Sequence, residues 1–170
     1  TINELARVPR LWGQALQWLR SQPNILDLGP SVVHWFWNTQ LGLARPDVQG
    51  VFSPASYREG YVGMLDVYPG MTCAVWQHRP KSQGSVQLAS SDHRVNPIVQ
   101  PNYLSDEDDR QTLIRGVRLA RSLLQTRALA QFNNAEVMPG PQVQSDDEIL
   151  DFIYRVGVSS FHVNGTARMG

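Results

Sequence analysis

Paired cysteines, long apolar runs, an excess of either charge and glycine-rich phosphate loops are all missing from this 170-residue sequence. Its one cysteine, Cys73, cannot form an internal disulfide, which suits a reducing compartment and leads us to expect a cytoplasmic location. No apolar run approaches the roughly 20 residues that span a bilayer, so no membrane span is expected. No basic start followed by an apolar stretch resembles a signal peptide. Fifteen basic residues balance fifteen acidic ones, and no basic cluster overrides the balance, which speaks against nucleic acid and anionic membranes as partners. Without a phosphate loop of the dinucleotide or Walker type, the chain carries no nucleotide-binding element of its own. Neither His-Glu-x-x-His nor a carboxylate–histidine cluster occurs, so no metal site is expected. The lack of a Gly-x-Ser-x-Gly elbow leaves a histidine-dependent hydrolase without a nucleophile.

What is present is a soluble globular profile, with 42% hydrophobic and 18% charged residues, enough to bury a core. The chain opens at Thr1 without an initiator methionine and closes on Thr166-Ala167-Arg168-Met169-Gly170, so both ends read as cuts. Leu5, Val8, Leu11, Trp12, Ala15, Leu16, Trp18 and Leu19 recur near helical spacing, predicting a helix from about Val8 to Ser21 that Pro23 stops. Four tryptophans fall between Trp12 and Trp37. They read as core packing, or alternatively His34, Trp35 and Trp37 line a pocket.

From Asp47 to about Leu104 the pattern becomes short strands bounded by Pro, Gly, Asp and Asn. Strands are expected at 48–52, 71–78, 84–89 and 97–101, with Cys73 and Val75 on one face and Ala74 and Trp76 on the other. Ser105-Asp106-Glu107-Asp108 then starts a helix whose apolar stripe is Leu113, Ile114, Val117, Ala120, Leu123 and Leu124. Arg110, Arg115, Arg118 and Arg121 lie off that stripe, as a solvated face or as partners for acids. Ser145-Asp146-Asp147-Glu148 spells a capping box for a last helix ending near Gly157. The fold class that follows is α+β, a mostly antiparallel sheet with helices on one face.

Four histidines are candidate general bases. His93 lies in an exposed turn, His78 at a strand end, and His34 among aromatics as core or pocket. His162 differs: it follows a helix in Ser159-Ser160-Phe161-His162-Val163-Asn164-Gly165-Thr166, flanked by small polar residues and glycine. Spacing alone does not decide its role.

Three stretches resemble signatures of the glucose–methanol–choline (GMC) oxidoreductases, in family order. Residues 161–170 are similar to the family's His-x-x-Gly-Thr-x-Arg-Met-Gly segment. Arg79-Pro80-Lys81-Ser82-Gln83-Gly84-Ser85-Val86 resembles Arg-Pro-x-Ser-x-Gly-x-Val, and residues 97–104 resemble Pro-x-Ile-x-x-Asn-Tyr-Leu. The likeness runs from Asn3-Glu4-Leu5 to the last residue. It departs from the commonest form at Val163, where proline is frequent, and at Ala167, where cysteine is frequent.

The resemblance implies that residues 1–170 are part of a GMC substrate-binding domain, with the Rossmann-type FAD domain elsewhere in the same parent chain. It implies oxidation of an alcohol to an aldehyde or ketone by hydride transfer to FAD. His162 aligns with the family's active-site histidine, and Phe161 would sit beside the flavin with it. Phe161, Asn164 and Trp76 become candidate substrate contacts, with His78 as a further possibility on the strand of Trp76. The second active-site histidine or asparagine of the family falls outside these residues. A rival reading is a non-catalytic module, derived from this domain, that holds a small ligand among its tryptophans.

Overall fold

A computed structural model describes residues 1–29, 31–61, 63–162 and 164–167. Val163 and residues 168–170, which carry part of the last signature, lie outside the described residues. The elements in order are α1 (Ile2–Leu5), α2 (Arg10–Leu19), a 3-10 turn (Ile25–Asp27), β1 (Val33–Trp37), β2 (Val48–Ser53) and β3 (Thr72–Gln77). They continue with β4 (Ser85–Gln87), β5 (Ile98–Gln100), α3 (Glu107–Leu124), α4 (Arg127–Ala130) and α5 (Asp146–Val156). The architecture is α+β with antiparallel sheets, as the sequence predicts.

The sheet is divided. Strands β1, β2 and β3 form an antiparallel meander, while β4 and β5 pair separately. The break falls at residues 78–84 and has a hydrogen-bonding cause. Pro80 has no N–H to donate, and the N–H groups of Lys81 and Ser82 go to the Asp109 carboxylate rather than to a neighbouring strand.

β1 itself is a finding that the sequence left as an undivided aromatic stretch. Val33-His34-Trp35-Phe36-Trp37 does not alternate apolar with polar, so period-2 reading passes over it. Pairing shows Trp35 opposite Gly50, and Gly50 opposite Val75, one row across the sheet. The Trp35 ring occupies the space a side chain at position 50 would need: a Cβ there would lie 2.0 Å from the indole. Gly50→Ala is therefore expected to displace the ring and lower unfolding free energy by about 2–3 kcal/mol, readable in a urea titration.

α3 packs on β3 and β2, and α5 packs on α3 rather than on the sheet. Asp109, Thr112, Gly116 and Ala120 are the buried residues at three- and four-residue spacing along α3. A Cβ at Gly116 would lie 2.9 Å from Val75 and 3.6 Å from Val48, so glycine lets helix and sheet approach closely. Ile114 and Ile149 are fully buried on α3 and α5. The start of α3 is one residue later than expected: Asp106, not Ser105, is the cap, accepting from the Asp108 N–H. Ser145 and Glu148 form the expected capping box of α5. Three of the four arginines of α3 pair with acids, Arg110 with Glu107, Arg118 with Asp146 and Arg121 with Glu136, while Arg115 donates to the hydroxyls of Thr39 and Thr112.

The helix expected over 8–21 is α2, which spans Arg10–Leu19 with Pro9 just before it, and a short α1 precedes it. Core packing for the early tryptophans is corrected here. Trp12, Trp18 and Trp37 are exposed, and only Trp35 is half-buried. Among the described residues His34, Trp35 and Trp37 do not face one pocket: they lie along one strand, His34 on one face and Trp35 and Trp37 on the other.

Candidate active site

Described residues of the three signature segments, which run from Arg79 to Gly170 in sequence, meet at the exit of β3. Asp109, only 1% exposed, sits in the first turn of α3. Its carboxylate accepts from the Lys81 N–H at 2.8 Å, the Ser82 N–H at 2.8 Å, the Ser82 hydroxyl at 2.5 Å and the Gln77 amide at 2.6 Å. Burial by itself raises the pKa of such a group. Here the donors from Lys81, Ser82 and Gln77 outweigh burial and hold the carboxyl below its ordinary value. The Ser82 hydroxyl in turn accepts from the Asp106 N–H, so one serine joins loop and helix start.

From that anchor the chain reaches the other two segments. The Gln83 carbonyl accepts from the Asn102 amide at 3.1 Å. The Gly84 N–H donates to the Gly165 carbonyl at 3.0 Å. Both glycines are demanded by space. A Cβ at Gly84 would lie 2.1 Å from the Gln100 carbonyl oxygen, and one at Gly165 would lie 2.8 Å from that of Ser82. Gly165 also has φ +77, in the left-handed region. Gly165→Ala is expected to cost about 1–2 kcal/mol from the backbone alone. Faster hydrogen exchange at the Gly84 amide would report the lost contact.

The fastening leaves an open cleft of about 480 Å³ lined by residues 80–83, Asp106, Asn164 and Gly165. Asn164 is one of the residues lining this open cleft. Three residues before Gly165, His162 is exposed, and Phe161 beside it is 76% exposed. Phe161 has φ 62, an uncommon conformation for a bulky aromatic, and its N–H donates to the Ser159 hydroxyl at 3.1 Å. Backbone strain of this kind collects where a side chain must be presented rather than packed.

Trp76 belongs to a second wall. Because Val75 and Gln77 point to α3, Ala74 and Trp76 face away from it, which settles the side that alternation alone left open. By register, His34, Val51 and Ala74 form one row of that face, and Phe36, Gln49 and Trp76 the next. No helix packs on this face among the described residues. His78 meets Phe36 edge to face, with ring centroids 5.5 Å apart. His34 is exposed and hydrogen-bonds Ser31 at 2.8 Å. The structure thus joins Phe161, His162 and Asn164 on one segment; no ring contact links Trp76 to Phe161 among the described residues.

On the helix side, burial pushes the Cys73 thiol above its ordinary pKa, opposed in part by the nearby Trp35 indole. The indole N–H nonetheless has no properly formed hydrogen bond. Cys73 is accordingly a packed, protonated thiol rather than a nucleophile. No cluster of three or more His, Cys, Asp or Glu suited to a metal occurs among the described residues. Sequence reasoning missed Asp109, which reads as one more acid at a helix start. The signal available was its helical phase with Leu113 and Val117, which puts it one turn before the apolar stripe of the same helix.

The GMC oxidoreductase family model matches residues 80–170. An oxygen-dependent choline dehydrogenase of Brucella anthropi is 39% identical over 136 residues, 79% of this chain and 24% of that protein. An alcohol dehydrogenase [acceptor] of Pseudomonas putida is 36% identical over 126 residues, 74% of this chain and 23% of its own length. An oxygen-dependent choline dehydrogenase of Staphylococcus aureus is 40% identical over 89 residues, 52% of this chain and 16% of that protein. The chain thus spans about a quarter of the length of the first relatives it matches. With more than half of its residues under the family model, the chain belongs to the GMC oxidoreductases.

Proposed function

We propose that this chain is the substrate-side part of a flavoprotein that oxidises an alcohol to an aldehyde or ketone, with His162 as the base. The observation that carries this reading is the presentation of Phe161, His162 and Asn164 on an exposed segment. Its following glycine is tied to the Gly84 N–H. A base must be positioned as well as basic, and the tie supplies the positioning.

The residues present suit the substrate side of a flavin and nothing further along the cofactor. Phe161 offers an exposed ring held by a left-handed backbone, and His162 an exposed imidazole. Nothing among them cradles a pyrophosphate, so the FAD domain is assigned to the remainder of the parent chain. FAD, when bound, supplies the hydride acceptor. His162 takes the hydroxyl proton on a ring nitrogen, which raises the electron density on the alcohol oxygen and makes the neighbouring C–H a better hydride donor. Phe161 narrows the space beside it, Asn164 contributes an amide at the cleft, and Trp76 forms part of the open sheet wall.

The relatives' names include choline and alcohol as substrates. Here the acids around the cleft are engaged: Asp106 caps α3, Asp108 pairs with Lys81, and Asp109 is saturated by donors. Among the described residues this leaves little carboxylate at the cleft to balance a quaternary ammonium, which supports an uncharged alcohol. The test is anaerobic mixing of the full-length protein with primary and secondary alcohols while flavin absorbance is followed. Bleaching by an uncharged alcohol is expected. A full-length protein without flavin, or a flavin that no alcohol reduces, sinks the proposal in favour of a ligand-binding module.

A further inference from the structure

The β4–β5 ladder ends at the pair of Ser85 with Gln100. Extended by two residues on each strand, that register sets Gln83 opposite Asn102. Backbone pairing stops short of this point. Pro101 has no N–H to give, and Asn102 turns into the left-handed region at φ 56. The Asn102 side chain supplies the donor instead, its amide reaching the Gln83 carbonyl at 3.1 Å. Asparagine suits both tasks, because it tolerates the left-handed backbone and carries a donor on a short side chain.

The consequence lies on the other side of the same peptide group. A trans peptide is planar, with its C=O and N–H directed to opposite edges. The Gln83–Gly84 peptide is trans. Asn102 holds its carbonyl on one edge, and the Gly165 carbonyl holds its N–H on the other at 3.0 Å. Tilting this one plane disturbs both bonds together. Polarisation couples them further, since a carbonyl that accepts makes the N–H of its own peptide a better donor. Space keeps the plane from sliding, because a Cβ at Gly84 would lie 2.1 Å from the Gln100 carbonyl oxygen and 2.7 Å from that of Pro101. Gly165 in turn stands three residues after His162.

We infer that Asn102 is a positioning residue for the base: through the Gln83–Gly84 peptide it fixes Gly165, and with Gly165 the place of His162. The inference rests on the reading of His162 as the base of an alcohol oxidation. Its effect differs from that of Asp109. Loss of the Asn102 amide frees the peptide plane and not the loop, because Ser82 stays held by the Asp109 carboxylate and by the Asp106 N–H.

Asn102→Asp and Asn102→Gly in the full-length protein test this. Each removes the donor, and glycine also adopts the left-handed backbone freely, which separates the hydrogen bond from backbone strain. Hydrogen exchange at the Gly84 amide should quicken about tenfold in both variants, with the urea midpoint little changed. The limiting rate of flavin reduction should fall about ten- to hundredfold, the scale of a misplaced group, while the alcohol's dissociation constant stays within about twofold. Combined with His162→Ala, either substitution should lower the rate no further, since no base is left to position. Effects that multiply in the combined variant overturn the inference and leave the base in place. So does a parent limiting rate in both single variants beside a slow His162→Ala. Loss of folding or flavin from both variants overturns it too, by marking Asn102 as a structural part only. A His162→Ala protein as fast as the parent overturns the reading of the base itself, and this inference with it.

Discussion

Replacing Asp109 by alanine is expected to lower unfolding free energy by about 3–5 kcal/mol, a large share of the roughly 5–15 kcal/mol typical of a domain. Four donors converge on that carboxylate, and alanine would leave the Ser82 N–H and hydroxyl without an acceptor in a nearly dry place. The neighbouring Asp108 supplies the contrast. It pairs with Lys81 in open solvent, where water screens the attraction, so Asp108→Ala should change stability little. Two adjacent acids of the same helix turn therefore separate by several-fold in effect, and urea titration of both variants measures it. Asp109→Asn keeps the shape but turns an amide group toward donors, and should fall between. pH adds a second readout. The folded-state pKa of Asp109 lies below its unfolded value, so its contribution is complete above about pH 4 and is lost as pH falls through the folded value. Stability of the parent should decline there more steeply than that of Asp109→Ala. Equal stability of the two at pH 7 would refute the anchor.

The fold was legible where the signals are local. Ser145 and Glu148 name their own helix start because both ends of the capping box lie within one turn. β2 to β5 are framed by the Pro, Gly and Asn residues that the strands cannot use. β1 was not legible, since aromatic residues on both faces erase alternation, and a strand whose faces are alike is indistinguishable from any apolar run. The apolar side of α2 was legible as a pattern but not as a location. Periodicity gives a face and never says whether anything covers it. Trp76 shows the same limit for a strand: alternation pairs it with Ala74, and only Gly116 pressed against Val75 tells which side is open. The site was legible by resemblance segment by segment. That the segments meet rests on contacts of large sequence separation, such as Gly84 with Gly165, which no local pattern encodes. Asp109 was hidden for that reason too, because its partners lie 27 to 32 residues away.

His162→Ala in the full-length protein should lower the rate of flavin reduction by alcohol about 10²–10⁴-fold, the usual contribution of a positioned base. His162 is exposed, so the loss should come without a loss of stability beyond about 0.5 kcal/mol, which separates it from Asp109→Ala. The separation matters because both substitutions depress activity, one by removing the base and the other by freeing the loop that holds its segment. Rescue distinguishes them further. Added imidazole should restore part of the rate to His162→Ala, since the vacated place opens to solvent, and none to Asp109→Ala. His162→Gln, which retains hydrogen bonding and lacks a titrating nitrogen, should stay slow. That outcome would assign the effect to proton transfer rather than to substrate orientation. Flavin reduction at the parent rate in His162→Ala would remove His162 from the chemistry and move attention to the open sheet face, where Trp76 and His78 remain.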